Sequence, residues 1–161
     1  MTASWAQQDS DGNTALHYAA LFRLDSSLNP LLERRARPDV GNSSGECAVH
    51  WAAKSSNVIA LDAMTRASRA FLSMRDCDGF TVFVVSAEMD NCPVMELNRH
   101  VGKPYLQPRG SELCRRTYLK GVSLEEQDDY GRTALQWACY EGNKKTTACL
   151  KAHPSMKSMA P

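Results

Sequence analysis

Two histidines 33 residues apart, His17 and His50, sit in matching surroundings, "TALHYAA" and "CAVHWAA". A neutral imidazole can take a proton, ligate a metal or bridge two polar groups. The first two chemistries need companions. Cys47, Cys77, Cys92, Cys114, Cys139 and Cys149 could offer thiolates, but none lies two or three residues from another, as a zinc knuckle or a redox pair requires. The acids of "DSDG", "DCDG" and "EEQDDYG" suggest calcium, yet a calcium loop spreads its oxygen ligands over about twelve residues and closes on a glutamate. These stretches do neither, and short Asp-Gly runs read as turn formers. "GKP" at Gly102 lacks the earlier glycine and the following hydroxyl of a phosphate loop. The chain reads as having no catalytic residue, no cofactor-binding residue and no metal ligand, and as no enzyme.

The histidines make sense as parts of a repeated element. "DGNTALHYAA", from Asp11, returns as "SGECAVHWAA", "DGFTVFVVSA" and "YGRTALQWAC". Aligned on Thr14, Cys47, Thr81 and Thr133, the copies are 33, 34 and 52 residues apart. Gly12, Gly45, Gly79 and Gly131 stand two residues earlier, where a turn needs a residue without Cβ. Thr14, Thr81 and Thr133 can cap the helix that follows. The alanines behind them let a second helix approach closely. In copy one, Leu28, Leu31 and Leu32 form one face of that second helix.

The pattern predicts helix pairs near 15–22 and 25–34, 48–55 and 58–67, 82–89 and 93–98, and 134–140 and 144–151. Pro30 is expected to kink or shorten its helix and Pro93 to restrict another. "TVFVVSA" is the one stretch whose β-branched residues argue for a strand. Cys47 and Cys139 fall in small apolar slots.

A period of 33 with a Thr-x-Leu-His-x-Ala-like core resembles the ankyrin repeat. "RRARPDV" resembles the family's repeat ending, with Arg35 where glycine is usual, and "TYLKGVSLEEQDDYG" resembles it again. The likeness covers about residues 8 to 152 and is weakest in copy three. It implies an all-α, ankyrin-repeat solenoid of about four helix-turn-helix units, with an irregular third unit carrying a loop insertion. The expected division is an array over 8–152, with units near 9–41, 42–75, 76–127 and 128–152, an insertion at about 98–116, and a C-terminal tail at 153–161. "NRHVGKPYLQPRGSELCRR" carries the excess over the 33-residue period and is strongly basic. It reads as a solvated loop, a contact loop for an acidic partner, nucleic acid or anionic lipid, or an irregularity of gene assembly or splicing. The resemblance also implies that His17 and His50 hydrogen-bond across neighbouring turns, a row broken by Val84 and Gln136, and that Trp51 and Trp137 pack between repeats.

The family implies non-catalytic protein recognition on a concave surface made by turn tips and inner-helix ends. Carried onto this chain, the partner-binding positions are Asn13, Glu46, Phe80 and Arg132 at the tips. At the helix ends they are Leu21, Phe22, Lys54, Met89, Tyr140 and Glu141. The expected partner is a protein of unstated identity, with no small-molecule substrate. A net charge of +1 gives no whole-molecule field toward nucleic acid or membrane, and the longest apolar run, near "FTVFVVSA", is too short to span a bilayer. The start, "MTASWAQQDSDG", has no apolar core of a secretory signal, so a cytoplasmic, nuclear, cytoskeletal or ciliary setting is expected. "QDDYGRTALQWACYEGN" also resembles units of inversin-type scaffolds. The alternative is an accessory ankyrin array, or a truncated isoform, of a larger enzyme or channel such as an ankyrin-bearing acyltransferase.

Overall fold

The computed structural model describes residues 7–89 and 125–152. Among them are seven α-helices: α1 (Ala15–Leu21), α2 (Asp25–Glu33), α3 (Ala48–Lys54), α4 (Val58–Ala67), α5 (Val82–Glu88), α6 (Ala134–Tyr140) and α7 (Lys144–Ala152). A 3-10 turn, Arg69–Ser73, follows α4. The short helices α1, α3, α5 and α6 stack in that order as an inner layer, and α2 and α4 pack behind them. The predicted helix at 93–98, the insertion at 98–116 and the tail at 153–161 lie outside the described residues.

Each inner helix begins in the same way. Thr14, Cys47, Thr81 and Thr133 are extended N-caps, and each pairs with the chain before its turn: Gln8 with Thr14, Gly41 with Cys47, Arg75 with Thr81 and Gln127 with Thr133. The turn projects as a tip, and successive tips are joined backbone to backbone. Ser43 N–H donates to the Asp11 carbonyl at 2.9 Å, Cys77 N–H to Ser44 at 3.0 Å and Asp129 N–H to Asp78 at 3.2 Å. The third bond lies in the same register as the first two, although the spacing there is 52 residues. Arg75 strengthens that joint: its guanidinium donates to the carbonyls of Gly79 at 3.0 Å and Gln127 at 2.7 Å. Gln8 makes the equivalent pair of bonds, to Gly12 and Gly41, in the first unit.

The core lies between the two layers. Leu16, Ala20, Leu28, Val49, Ala52, Leu61, Met64, Val84 and Val85 are almost wholly buried. Each large aliphatic among them stabilises the fold by roughly 1.5–3 kcal/mol. The β-branched stretch is helix, not strand. All six residues from Val82 to Ala87 are buried, so packing on both sides overrides their strand preference.

Pro30 does not end its helix. It sits inside α2, which continues three residues past it and is nine residues long, like α7. Both Pro30 and Ser26, whose carbonyl loses its helical donor, are exposed, so water can serve the orphaned oxygen. Cys139 corrects one expectation: it is exposed, while Cys47 is buried as expected. Arg35 adopts φ +63°, the left-handed conformation of the glycine that the family usually has there.

Candidate partner-binding surface

His17 and His50 are fully buried and each ring holds two repeats together. The Thr14 N–H donates to His17 Nδ1 at 3.0 Å, so the ring proton is on Nε2, which donates to the Glu46 carbonyl at 2.9 Å. His50 does the same, accepting from Cys47 N–H at 3.0 Å and donating to the carbonyls of Phe80 and Met74, both at 3.1 Å. Burial holds both imidazoles below their ordinary pKa, keeping them neutral. In the fourth unit Gln136 substitutes, its Oε1 accepting from Thr133 N–H at 2.8 Å. Val84 has no such group, so α5 begins with the Thr81 side-chain cap alone.

The acids of the tips are turn formers. Asp9 Oδ1 accepts from Asp11 N–H at 3.0 Å and Asn13 N–H at 2.8 Å, and Asp76 and Asp128 accept the equivalent amides. Two of these turns, and Glu46 in the second tip, also receive an aromatic donor from the inner helix. Tyr18 Oη donates to Asp9 at 2.5 Å, Trp51 Nε1 to Glu46 at 2.9 Å and Trp137 Nε1 to Asp128 at 2.5 Å. The Tyr18 hydroxyl holds the Asp9 carboxyl at about 2. Burial pushes the Glu46 carboxyl up, but its bonds from Lys54 and Trp51 outweigh that and leave it lowered.

These aromatics form two groups along the inner layer. In the first two units, Tyr18 stacks on Phe22 at 6.2 Å and meets the Trp51 edge at 5.7 Å. In the last two, Trp137 packs between Phe80 at 5.2 Å and Tyr140 at 5.7 Å. The Arg132 guanidinium lies over Trp137 at 4.8 Å, Tyr140 at 5.4 Å and Tyr130 at 5.8 Å. A Glu46–Lys54 ion pair belongs to the second repeat, where Glu46 also accepts from Trp51.

A family profile described as Ankyrin repeat matches residues 11–43, the tip, the α1–α2 pair and the start of the next tip. The chain carries ankyrin repeats. It is 25% identical over 155 residues to the neurogenic locus notch homolog protein 1 of Xenopus tropicalis and 24% identical over the same length to that of Xenopus laevis. Those alignments take in 95% of this chain and 5% of each relative, so the chain spans only a small part of the proteins it matches. Ankyrin repeats generally mediate protein–protein interaction. Among the described residues, no helix is long and apolar enough to cross a membrane.

On the ankyrin array, the proposed contact positions divide into exposed and structural ones. Phe22 is 64% exposed, Tyr140 73% and Met89 43%. Glu141 is exposed, while Leu21, Lys54 and Arg132 are half-buried. Phe80 is half-buried against Trp137, and Glu46 is half-buried between Trp51 and Lys54. Asn13 departs from the expectation of an open tip. It is 6% exposed and its amide bonds Asp9, Tyr18 and Asn42, bracing the first two tips together. Trp51 and Trp137, expected between repeats, are half-buried at the edge of the core. Tyr130, 62% exposed at the fourth tip with its hydroxyl on Asp78, escaped the sequence reading because it precedes the repeated glycine.

Proposed function

We propose that this chain is a non-catalytic protein-recognition module that docks its partner along the inner-helix ends and tips. The observation that carries this reading is the exposure of Phe22, Met89 and Tyr140 on one layer of the stack, each at the C-terminal end of an inner helix. Apolar residues scattered singly mean little, whereas several along one face favour a protein contact. Rigid aromatic anchors supply most binding energy at such faces. The buried histidines have structural partners on both ring nitrogens, which supports a joint rather than a base.

The test is capture of partners from native cells followed by binding of the identified partner to variants. Tyr140→Ala and Met89→Ala are expected to weaken binding at least tenfold with unchanged folded fraction. Unchanged affinity in both would remove this face as the docking surface.

A further inference from the structure

The two layers of the array carry opposite charge. The tips and inner helices, residues 7–22, 41–55, 75–89 and 125–141, hold eleven carboxylates and three cations, Lys54, Arg75 and Arg132. The segments behind them, 23–40, 56–74 and 142–152, hold nine cations and four carboxylates. The whole chain is nearly neutral at +1, so this separation comes from placement and not from composition.

The few cations of the acidic side are already engaged. Lys54 pairs with Glu46, Arg75 clamps the Gly79 and Gln127 carbonyls, and Arg132 lies over three aromatic rings. The acids are accessible: Asp11, Asp78, Asp129 and Glu141 are all exposed. The Glu88 carboxyl is raised chiefly by burial, with Lys54 drawing it down and Glu141, Asp76 and Glu46 pushing it up. The exposed rings of Tyr130 and Tyr140 stand among these carboxylates and already draw one cation, Arg132.

We infer that the tip and inner-helix face takes a basic protein segment, rich in Lys or Arg with interspersed apolar residues. This rests on the recognition reading above and adds the partner's chemistry. Cationic side chains would meet Asp78, Asp129 and Glu141, and the apolar residues would meet Phe22, Met89 and Tyr140. The field of a clustered acidic face also speeds encounter with a basic partner and repels an acidic one.

The experiment measures binding of three synthetic peptides to the full chain by titration calorimetry and hydrogen exchange. One alternates Arg and Leu over twelve positions, one replaces Arg by Glu, and one replaces Arg by Gln. The Arg peptide should bind, protect residues 18–22, 86–89 and 137–141 from exchange, and weaken about tenfold or more between 50 and 500 mM salt, as the screening length shortens from more than about 10 Å to well below about 8 Å. Asp78→Lys with Glu141→Lys should weaken it about tenfold, and Tyr140→Ala should weaken it without changing the salt dependence. Equal or tighter binding of the Glu or Gln peptide on the same face would overturn the basic-partner inference alone. If the Arg peptide protects only the outer helices, or no peptide protects the inner face, the recognition reading fails as well. Dimerisation of the chain through the inner face would make a second copy the occupant and overturn the inference.

Discussion

The Nε2–H of His17 donates to the Glu46 carbonyl at 2.9 Å, and the His50 ring repeats that donation to Phe80 one unit later. A buried donor of this kind is a joint between repeats. His17→Ala should therefore destabilise the fold by about 1–2 kcal/mol, the cost of unpairing buried partners. His17→Gln should cost less, because Gln136 already fills the same place in the fourth unit. Denaturant titration measures both. Partner binding at matched folded fraction should not change.

The same two rings set a pH dependence. Burial lowers both imidazole pKa values in the folded state, while an unfolded histidine titrates near 6.5. The unfolded chain thus binds more protons in the window just below 6.5, so stability should be full above it and fall as pH drops through it. Glu88, whose carboxyl is raised chiefly by burial, acts in the opposite sense above 4.5. Comparing wild type with His50→Gln between pH 7.5 and 5 separates the two, and the variant should show the shallower fall. Parallel curves would mean that His50 does not contribute.

Backbone conformation gives a pair of opposite expectations. Gly79 has φ +77°, and a Cβ there would lie 2.6 Å from the Asp129 amide nitrogen and clash with its carboxylate. Gly79→Ala should cost more than about 2 kcal/mol, combining the left-handed backbone penalty with a steric break at the joint between units three and four. Arg35, at φ +63° in an exposed turn, should respond in reverse. Arg35→Gly should raise the melting temperature by a few degrees, because about 1–2 kcal/mol of left-handed strain is relieved against a smaller entropy cost.

Much of this fold is written in the repeat itself. Glycine two residues before threonine sets the tip, the threonine starts the helix, and the histidine three residues on spans to the next carbonyl. Arg35 in a glycine place foretells its left-handed backbone. Other features depend on packing that no local pattern carries. The 3-10 turn at Arg69–Ser73 has no periodicity, and Pro30 is tolerated because its side of α2 faces solvent. Asn13 looks like a free tip residue until Asn42, 29 positions later, is seen to bond it. The charge separation is hidden in sequence because acidic tips alternate with basic outer segments and nearly cancel.

The continuous register across the 52-residue spacing bears on the segment beyond the described residues. Asp129 N–H still reaches Asp78, and Arg75 still reaches Gln127. Removing residues 98–116 should leave the melting temperature equal or higher, since a shorter connection costs less closure entropy. Loss of cooperative unfolding in the shortened chain would show that the segment is needed for packing.

The measurement that bears most directly on recognition is hydrogen exchange of the chain with its captured partner bound. Protection should gather at residues 18–22, 51–55, 86–89 and 137–141, the C-terminal ends of the four inner helices, with α2 and α7 unchanged. Protection confined to α2, α4 and α7, with the inner-helix ends exchanging as in the free chain, would contradict it.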